Sequence, residues 1–355
     1  MKKALIYDPY LDTMGGGERY ALTFARVLAD NGYDVDVAWS DKTIKQQAAS
    51  RFNLDLTKIE INPSAFEDLT LSSGLIKRFR RTKLYDLTFW VSDGSLPFLF
   101  SRKNLIHFQV PFTNIGGTAL NNLLKSTLAT KFIFNSVFTS KIIMQQLPLI
   151  SSTVLYPPID TDSFTAGKKE NIILSVARFD SPSHAKRHDI LIDIFIKLHE
   201  KNKTFHLILA GGLKGGEEFI KSLKDKAGKL PVEFIPNPDF DKLKELYAKA
   251  KIFWHTAGYS IDEVAEPEKV EHFGITTVEA MSAGAVPVVI NKGGQREIIT
   301  GESGYLCDSI EEMTQSTLSL IDSPQKLKLM SEKAVDRSKA FSVSVFEKKI
   351  ISIIS

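Results

Sequence analysis

Short apolar runs alternate with glycine-rich or polar turns and with segments whose apolar residues recur at helical spacing, and this cycle repeats along the 355 residues of the chain. The first run, Ala4–Tyr7, has the continuous apolar character of a buried parallel strand. A Gly15-Gly16-Gly17 turn follows, and Glu18–Ala29 places Ala21, Leu22, Ala25 and Leu28 at roughly helical intervals before Gly32 ends the pattern. Tyr33–Trp39 alternates as a strand. Further strands are predicted at Asp86–Val91, Asn104–Phe108 and Lys131–Asn135, with Ser136 suited to cap the helix after the last of them. At Tyr156-Pro157-Pro158-Ile159 two prolines fix φ and remove amide donors, so neither a helix nor a central strand continues through it. Beyond this boundary the cycle resumes with strands at Ile172–Ala177, Phe205–Ala210, Ile252–His255 and Ala285–Ile290. Helices are expected around Ile190–Leu198, Asp241–Ala250 and Ile275–Ala283, and residues 325–355 are helical in composition. Regular strand–helix alternation predicts parallel sheets covered by helices, and the length calls for two such domains.

Composition narrows the function without naming it. A formal charge of +3 and a pI near 8.6 give no support to a nucleic-acid partner. The single cysteine, Cys307, excludes an intramolecular disulfide and suits a reducing compartment. No apolar run approaches a membrane span, and the apolar part of the N-terminus is too short for a signal peptide, so a first strand is expected there. Within Leu75–Leu84 five bases occupy seven positions, while Leu75, Ile76 and Phe79 would share a helical face. That pattern admits contact with an anionic membrane surface, a solvated face packed by its three apolar residues, or an acceptor-phosphate site. The Asp-x-Asp pairs Asp34/Asp36, Asp160/Asp162 and Asp239/Asp241 read as strand alternation, turn and helix cap, and no metal site is expected.

The stretch Glu271-His272-Phe273-Gly274-Ile275-Thr276-Thr277-Val278-Glu279-Ala280-Met281-Ser282-Ala283-Gly284 reads as a loop entering a helix, with two carboxylates eight residues apart. Gly274 permits close approach of the backbone to a ligand, and free amides at a helix N-terminus are a place to hold phosphate. Glu279, one turn further in, can accept hydrogen bonds from ribose hydroxyls, and Glu271 stands in the loop beyond the phosphate. Arg178 at a strand end and Lys186 near the next helix put two cations at the edge where open α/β sheets bind ligands. Arg187 is a substitute for Lys186, and Gly293-Gly294 forms a second glycine turn whose amides can face the same ligand.

The whole of this stretch resembles the donor-binding motif (Glu, seven residues, Glu) of the retaining GT-B glycosyltransferases of family 4. The resemblance implies two doubly wound Rossmann-like α/β domains facing a cleft. Residues 1–160 would form the acceptor-side domain, residues 161–337 the nucleotide-sugar domain, and a terminal helix at about 338–355 would cross back onto the first. It implies that Arg178 and Lys186 hold the donor diphosphate, that Glu271 holds the transferred sugar and Glu279 the ribose, and that Phe273, Gly274 and Ile275 line the donor. Gly16 and Gly17, within Gly15-Gly16-Gly17-Glu18-Arg19, match the family's first-domain loop near donor phosphate and acceptor. His107, in His107-Phe108-Gln109-Val110-Pro111, is similar to a first-domain histidine that lines the sugar pocket, although this chain has its proline four residues after the histidine where two is commoner. Gly258–Val270 has the place of an insertion, either a lid or a passive loop.

The implied activity is retaining, metal-independent transfer of a hexose or N-acetylhexosamine. The donor would be a UDP-, GDP- or ADP-sugar, with no cofactor, and the acceptor a hydroxyl of a glycan, a lipid-linked sugar or a small molecule. The implied setting is bacterial surface-polysaccharide or glycolipid synthesis in the cytoplasm, with peripheral attachment to the inner face of the plasma membrane left open. A sugar-nucleotide epimerase, a phosphorylase and a non-catalytic binding subunit share the architecture and stay open as alternatives.

Overall fold

A computed structural model of the protein describes residues 1–70, 73–147, 151–179, 186–213 and 215–355. The chain divides into two compact units, one of Met1–Pro158 with Ser344–Ser355, the other of Ile159–Val343.

In the first unit the elements run β1 (Lys2–Tyr7), α1 (Gly16–Asp30), β2 (Tyr33–Ala38), α2 (Ile44–Phe52), β3 (Ile59–Ile61), α3 (Pro63–Leu69), α4 (Gly74–Thr82), β4 (Leu87–Val91), β5 (Lys103–Phe108), α5 (Ala119–Leu128), β6 (Lys131–Phe134), α6 (Val137–Gln146) and β7 (Ser152–Val154). All neighbours in its sheet are parallel, in the order β3-β2-β1-β4-β5-β6-β7. The apolar run of β1 is central and its Ala4, Leu5 and Ile6 are fully buried, as a strand covered on both faces requires. Ser136 caps α6 by accepting the Thr139 amide at 3.0 Å, an interaction of about 1 kcal/mol. The first helix starts earlier than its apolar pattern, at Gly16, because the Glu18 carboxylate turns back to accept the Gly15 amide and closes the first turn.

The second unit contains β8 (Glu170–Val176), α7 (His188–Lys201), β9 (His206–Gly211), α8 (Glu217–Ala227), β10 (Val232–Pro236), α9 (Phe240–Lys249), β11 (Ala250–His255), α10 (Ile275–Ser282), β12 (Val286–Ile290), α11 (Gln295–Ile298), β13 (Tyr305–Cys307), α12 (Ile310–Ile321) and α13 (Pro324–Ser338). Its parallel sheet has the order β10-β9-β8-β11-β12-β13. Both sheets are therefore doubly wound Rossmann-like sheets, and the order reverses between β8 and β11, where such folds bind ligands beyond the strands' carboxyl ends.

Residues 325–355 are not one helix. After α13 the chain pairs with Ile159, which donates to the Phe341 carbonyl and accepts the Val343 amide. A second helix, α14 (Val343–Ile354), then buries Phe346 and Ile350 in the core of the first unit, where Arg26 pairs with Glu347. The Asp-x-Asp residues have structural roles. Asp239 caps α9 through the Lys242 amide, Asp160 holds the Ser163 turn, and Asp36 accepts from Tyr85 and Asn62.

Candidate active site

The switch point between β8 and β11 brings together residues that are far apart in sequence. Arg178 leaves the carboxyl end of β8 exposed to solvent. Residues 180–185, most of the loop between Arg178 and Lys186, lie outside the described residues. Lys186 and Arg187 then enter α7, and Thr256, just after β11, donates to the carbonyl of Arg187 at 3.0 Å. The two bases diverge. Arg187, in the left-handed region at φ 54°, forks onto Asp189 and donates to the Tyr259 carbonyl. The Lys186 amine instead reaches Glu271 Oε2 at 2.8 Å. His255 Nε2, at the end of β11, lies 3.0 Å from the same oxygen. Burial works to raise the Glu271 carboxyl, but the Lys186 charge and the His255 hydrogen bond hold it well below the usual carboxylate range. His255 has no motif in the sequence, and only the position of its strand beside β8 reveals it.

Glu271 is followed by the start of α10. Gly274 caps this helix at φ 117°, a backbone that only glycine adopts without strain. On the side where a Cβ would stand, the space is filled by the Gln295 and Ile298 side chains of α11. Ile275 and Thr276 are half-buried, and their amides meet no acceptor among the described residues. Glu279 is nearly buried and accepts from the Tyr247 hydroxyl of α9 at 2.9 Å. Lys169 secures the other end of α10. Its amine donates to the carbonyls of Ala283 and Ala250, at 2.6 and 2.8 Å, and burial pushes it down to about 8.

Three expectations change here. Phe273 is buried and turns inward onto Phe341, with ring centroids 5.4 Å apart, so its side chain supports the loop. The amides of Gly293 and Gly294 are engaged within the protein. Gly293 donates to Glu263 at 2.9 Å and Gly294 to the Glu271 carbonyl at 2.8 Å. A Cβ at Gly294 would stand 2.4 Å from the His272 carbonyl oxygen, so this glycine serves the packing of two loops. Glu263 also pairs with Arg296 at 2.6 Å, which latches the Gly258–Val270 segment over the glycine turn.

In the first unit, Gly16 and Gly17 form the opening turn of α1. A Cβ on Gly17 would fall 2.1 Å from Gln109 Oε1, so the glycine makes room for the side chain that directly follows β5. His107 is fully buried. Its ring stacks on Tyr20 at 4.2 Å, its Nδ1 donates to the Ile133 carbonyl at 3.2 Å, and burial pushes it down to about 3. The structure thus packs His107 as a neutral ring inside the first unit, with its Nε2 meeting no hydrogen-bond partner among the described residues. The strand's inward-pointing alternation, not its motif, decides where that side chain goes. Asp8, at the end of β1, is fully buried, and burial with the nearby Glu18 pushes it up to about 7.

The comparisons follow the same division. A family pattern described as glycosyl transferases group 1 matches residues 159–337, half of the chain. The chain belongs to the glycosyl transferases group 1 family. The matched region contains every residue of the Lys186–His255–Glu271 cluster and all of α10. Among curated relatives, a GDP-Man:Man(3)GlcNAc(2)-PP-Dol alpha-1,2-mannosyltransferase of Dictyostelium discoideum is 28% identical over 57% of this chain and 41% of its own length. An alpha-1,3/1,6-mannosyltransferase of the same organism is 26% identical over 64% of this chain and 61% of its own. The chain thus spans less than two thirds of either relative. Among solved structures, the Anabaena protein HepE in complex with UDP and glucose is 18% identical with a TM-score of 0.72, covering 100% of this chain and 99% of that one. A glycosyltransferase from Rickettsia africae is also 18% identical, with a TM-score of 0.78 over 99% and 97% of the two chains. These likenesses establish the fold as GT-B.

Proposed function

We propose that the protein is a retaining glycosyltransferase that moves a hexosyl group from a nucleotide-diphosphate sugar to a hydroxyl of a lipid-linked or free glycan. The observation that carries this reading is the convergence of Lys186 and His255 on one oxygen of Glu271, beside the first amides of α10, at the point where the second sheet reverses. Mannosyltransferases named for GDP-Man and a PP-Dol-linked glycan make GDP-mannose and a polyprenyl-diphosphate glycan the first pair to test. The UDP complexes of HepE put UDP-sugars second. The proposed setting is glycolipid or surface-polysaccharide synthesis.

In this reading the difficulty of the reaction is charge. As the bond between sugar and phosphate breaks, negative charge grows on the leaving diphosphate while the sugar becomes cation-like. Arg178, Lys186 and the α10 amides are positive groups fixed before the reaction, and they take up that charge without a metal. Glu271 engages Lys186 and His255 through Oε2, and Oε1 has no hydrogen-bond partner among the described residues, which suits it to a hydroxyl of the transferred sugar. Glu279, steadied by Tyr247, takes the ribose. The acceptor hydroxyl attacks on the face from which the phosphate departs, so no enzyme nucleophile is required.

The test is a panel of GDP-, UDP- and ADP-sugars with and without acceptor, scored for free nucleotide diphosphate, for the anomeric configuration of the product, and for turnover in excess chelator. Epimerised donor without diphosphate release would replace this reading with an epimerase. Inverted product would remove retention, and activity lost to chelator and restored by manganese or magnesium would overturn the charge assignment.

A further inference from the structure

The helix α4 is amphipathic in the inverted sense. Arg78 and Arg81 are packed and its apolar residues are not. Arg78 lies over the Trp90 ring, 5.4 Å from the centroid, and donates to the Leu69 carbonyl at 3.2 Å. Arg81 is held by Asp68 at 2.6 Å. Leu75, Ile76 and Phe79 stand 51%, 69% and 44% exposed. Apolar side chains are bare on α5 as well, where Leu120 and, one turn on, Leu123 and Leu124 are 68%, 60% and 51% exposed. Exposed apolar side chains are denser on these two helices than elsewhere among the described residues.

The two helices are parts of one surface. Phe79 meets Phe100 edge-on at 4.9 Å, Phe100 stacks on Phe98 at 6.5 Å, and the Lys125 amine of α5 lies 5.4 Å from the Phe98 centroid. Neither Gly74–Leu84 nor Thr118–Leu128 contains an aspartate or glutamate, whereas Lys77, Arg80, Lys83 and Lys125 stand among the apolar residues. An apolar patch of this kind needs a cover. A second copy of the same surface would bring these cations against one another with no acid on either helix to pair them. A layer that offers apolar depth beneath a continuous negative surface satisfies both features at once.

We propose that the exposed faces of α4 and α5 together form a docking surface for an anionic lipid leaflet, with Leu75, Ile76, Leu120 and Leu123 entering the acyl boundary and Lys77, Arg80 and Lys83 at headgroup level. The surface is independent of the donor site and of the reaction proposed above. No helix among the described residues is long and apolar enough to cross a membrane, so the contact is a surface one.

The full chain tests this by co-sedimentation with vesicles of neutral phosphatidylcholine and of phosphatidylcholine mixed with phosphatidylglycerol. The wild type is expected to bind the anionic vesicles and to leave them as salt rises. Ile76→Ser/Leu120→Ser/Leu123→Ser, which keeps every charge, should weaken partition on the order of 100-fold. Lys77→Glu/Arg80→Glu should weaken it by at least about tenfold. Neither variant touches Arg78 or Arg81, so both should melt as the wild type does. No preference for anionic vesicles in the wild type, or binding unchanged in both variants, overturns the proposal. A wild-type dimer by light scattering that the serine variant converts to monomer, without vesicle binding, reassigns the face to contact between copies.

Discussion

The Lys186 amine and the Glu271 carboxylate meet at 2.8 Å across 85 residues of sequence, and the carboxylate oxygen they share also faces His255. The pair fixes the lysine before any donor arrives. Glu271→Gln leaves an amide that accepts at one atom only, so Lys186 and His255 compete for it or turn away. The expected result is a fall in kcat/KM on the order of 10- to 100-fold with the fold intact. Steady-state kinetics beside a thermal melt checks it, and an unchanged kcat/KM removes Glu271 from the reaction.

Arg178 is exposed, so its removal should cost little stability. If it meets the leaving diphosphate, the interaction strengthens as the bond breaks, and Arg178→Ala lowers kcat by roughly 100-fold, about 3 kcal/mol. Arg178→Lys keeps the charge, loses the planar fork and recovers only part. A folded Arg178→Ala enzyme with wild-type kcat transfers the role to Lys186 and the α10 amides.

Tyr247 fixes Glu279 at 2.9 Å, and a ribose contact changes little during the reaction. Glu279→Gln and Tyr247→Phe are therefore both expected to raise the donor KM more than they lower kcat, the second by the smaller factor. Because they disturb one hydrogen bond, the double variant should fall short of the product of the two effects. Full multiplicativity would show that Tyr247 and Glu279 act separately.

His107 is buried in the neutral form, its value pushed down from 6.5 to about 3. The unfolded chain takes up the proton first, so stability falls as pH drops below 6.5 and continues to fall towards 3, by up to about 1.4 kcal/mol per pH unit. His107→Phe should keep activity near neutral pH and lose this part of the acid sensitivity. Thermal melts across that range decide it, and abolished turnover in a stable His107→Phe protein would return the histidine to the active site.

Glu263 ties its segment to the Gly293 amide and to Arg296. Glu263→Ala should free the segment, seen as faster limited proteolysis within residues 258–270, with a stability loss of only about 1 kcal/mol because Arg296 is substantially exposed. A rise in donor affinity in the same variant would identify the segment as a strap over the donor. Unchanged proteolysis and unchanged affinity would leave it a passive loop.

How much of this was legible in the chain depends on the range of the interaction. The central strands β1, β4, β5, β8, β11 and β12 could be read because strands buried on both faces are locally apolar. Short edge strands such as β3, β7 and β13, only three residues each, carry too little pattern to be read. Glu271, Glu279 and the glycine before α10 could be singled out as candidates because one continuous stretch presents them. His255, Tyr247 and Lys169 were not, since each acts on that stretch from another element.

The sequence alone therefore determined the α/β alternation, the proline boundary near Ile159 and the family to which the second half belongs, all of which are written in local composition and spacing. The tertiary structure decided which way side chains turn. It sent His107 into the core while Lys186 reached Glu271, gave the Gly293 amide to Glu263, and left α4 with Arg78 and Arg81 packed and its leucine and isoleucine bare. The physical reason is that hydrophobic periodicity specifies that an element has two faces, but what each face meets is set by neighbours brought close only when the sheets order their strands.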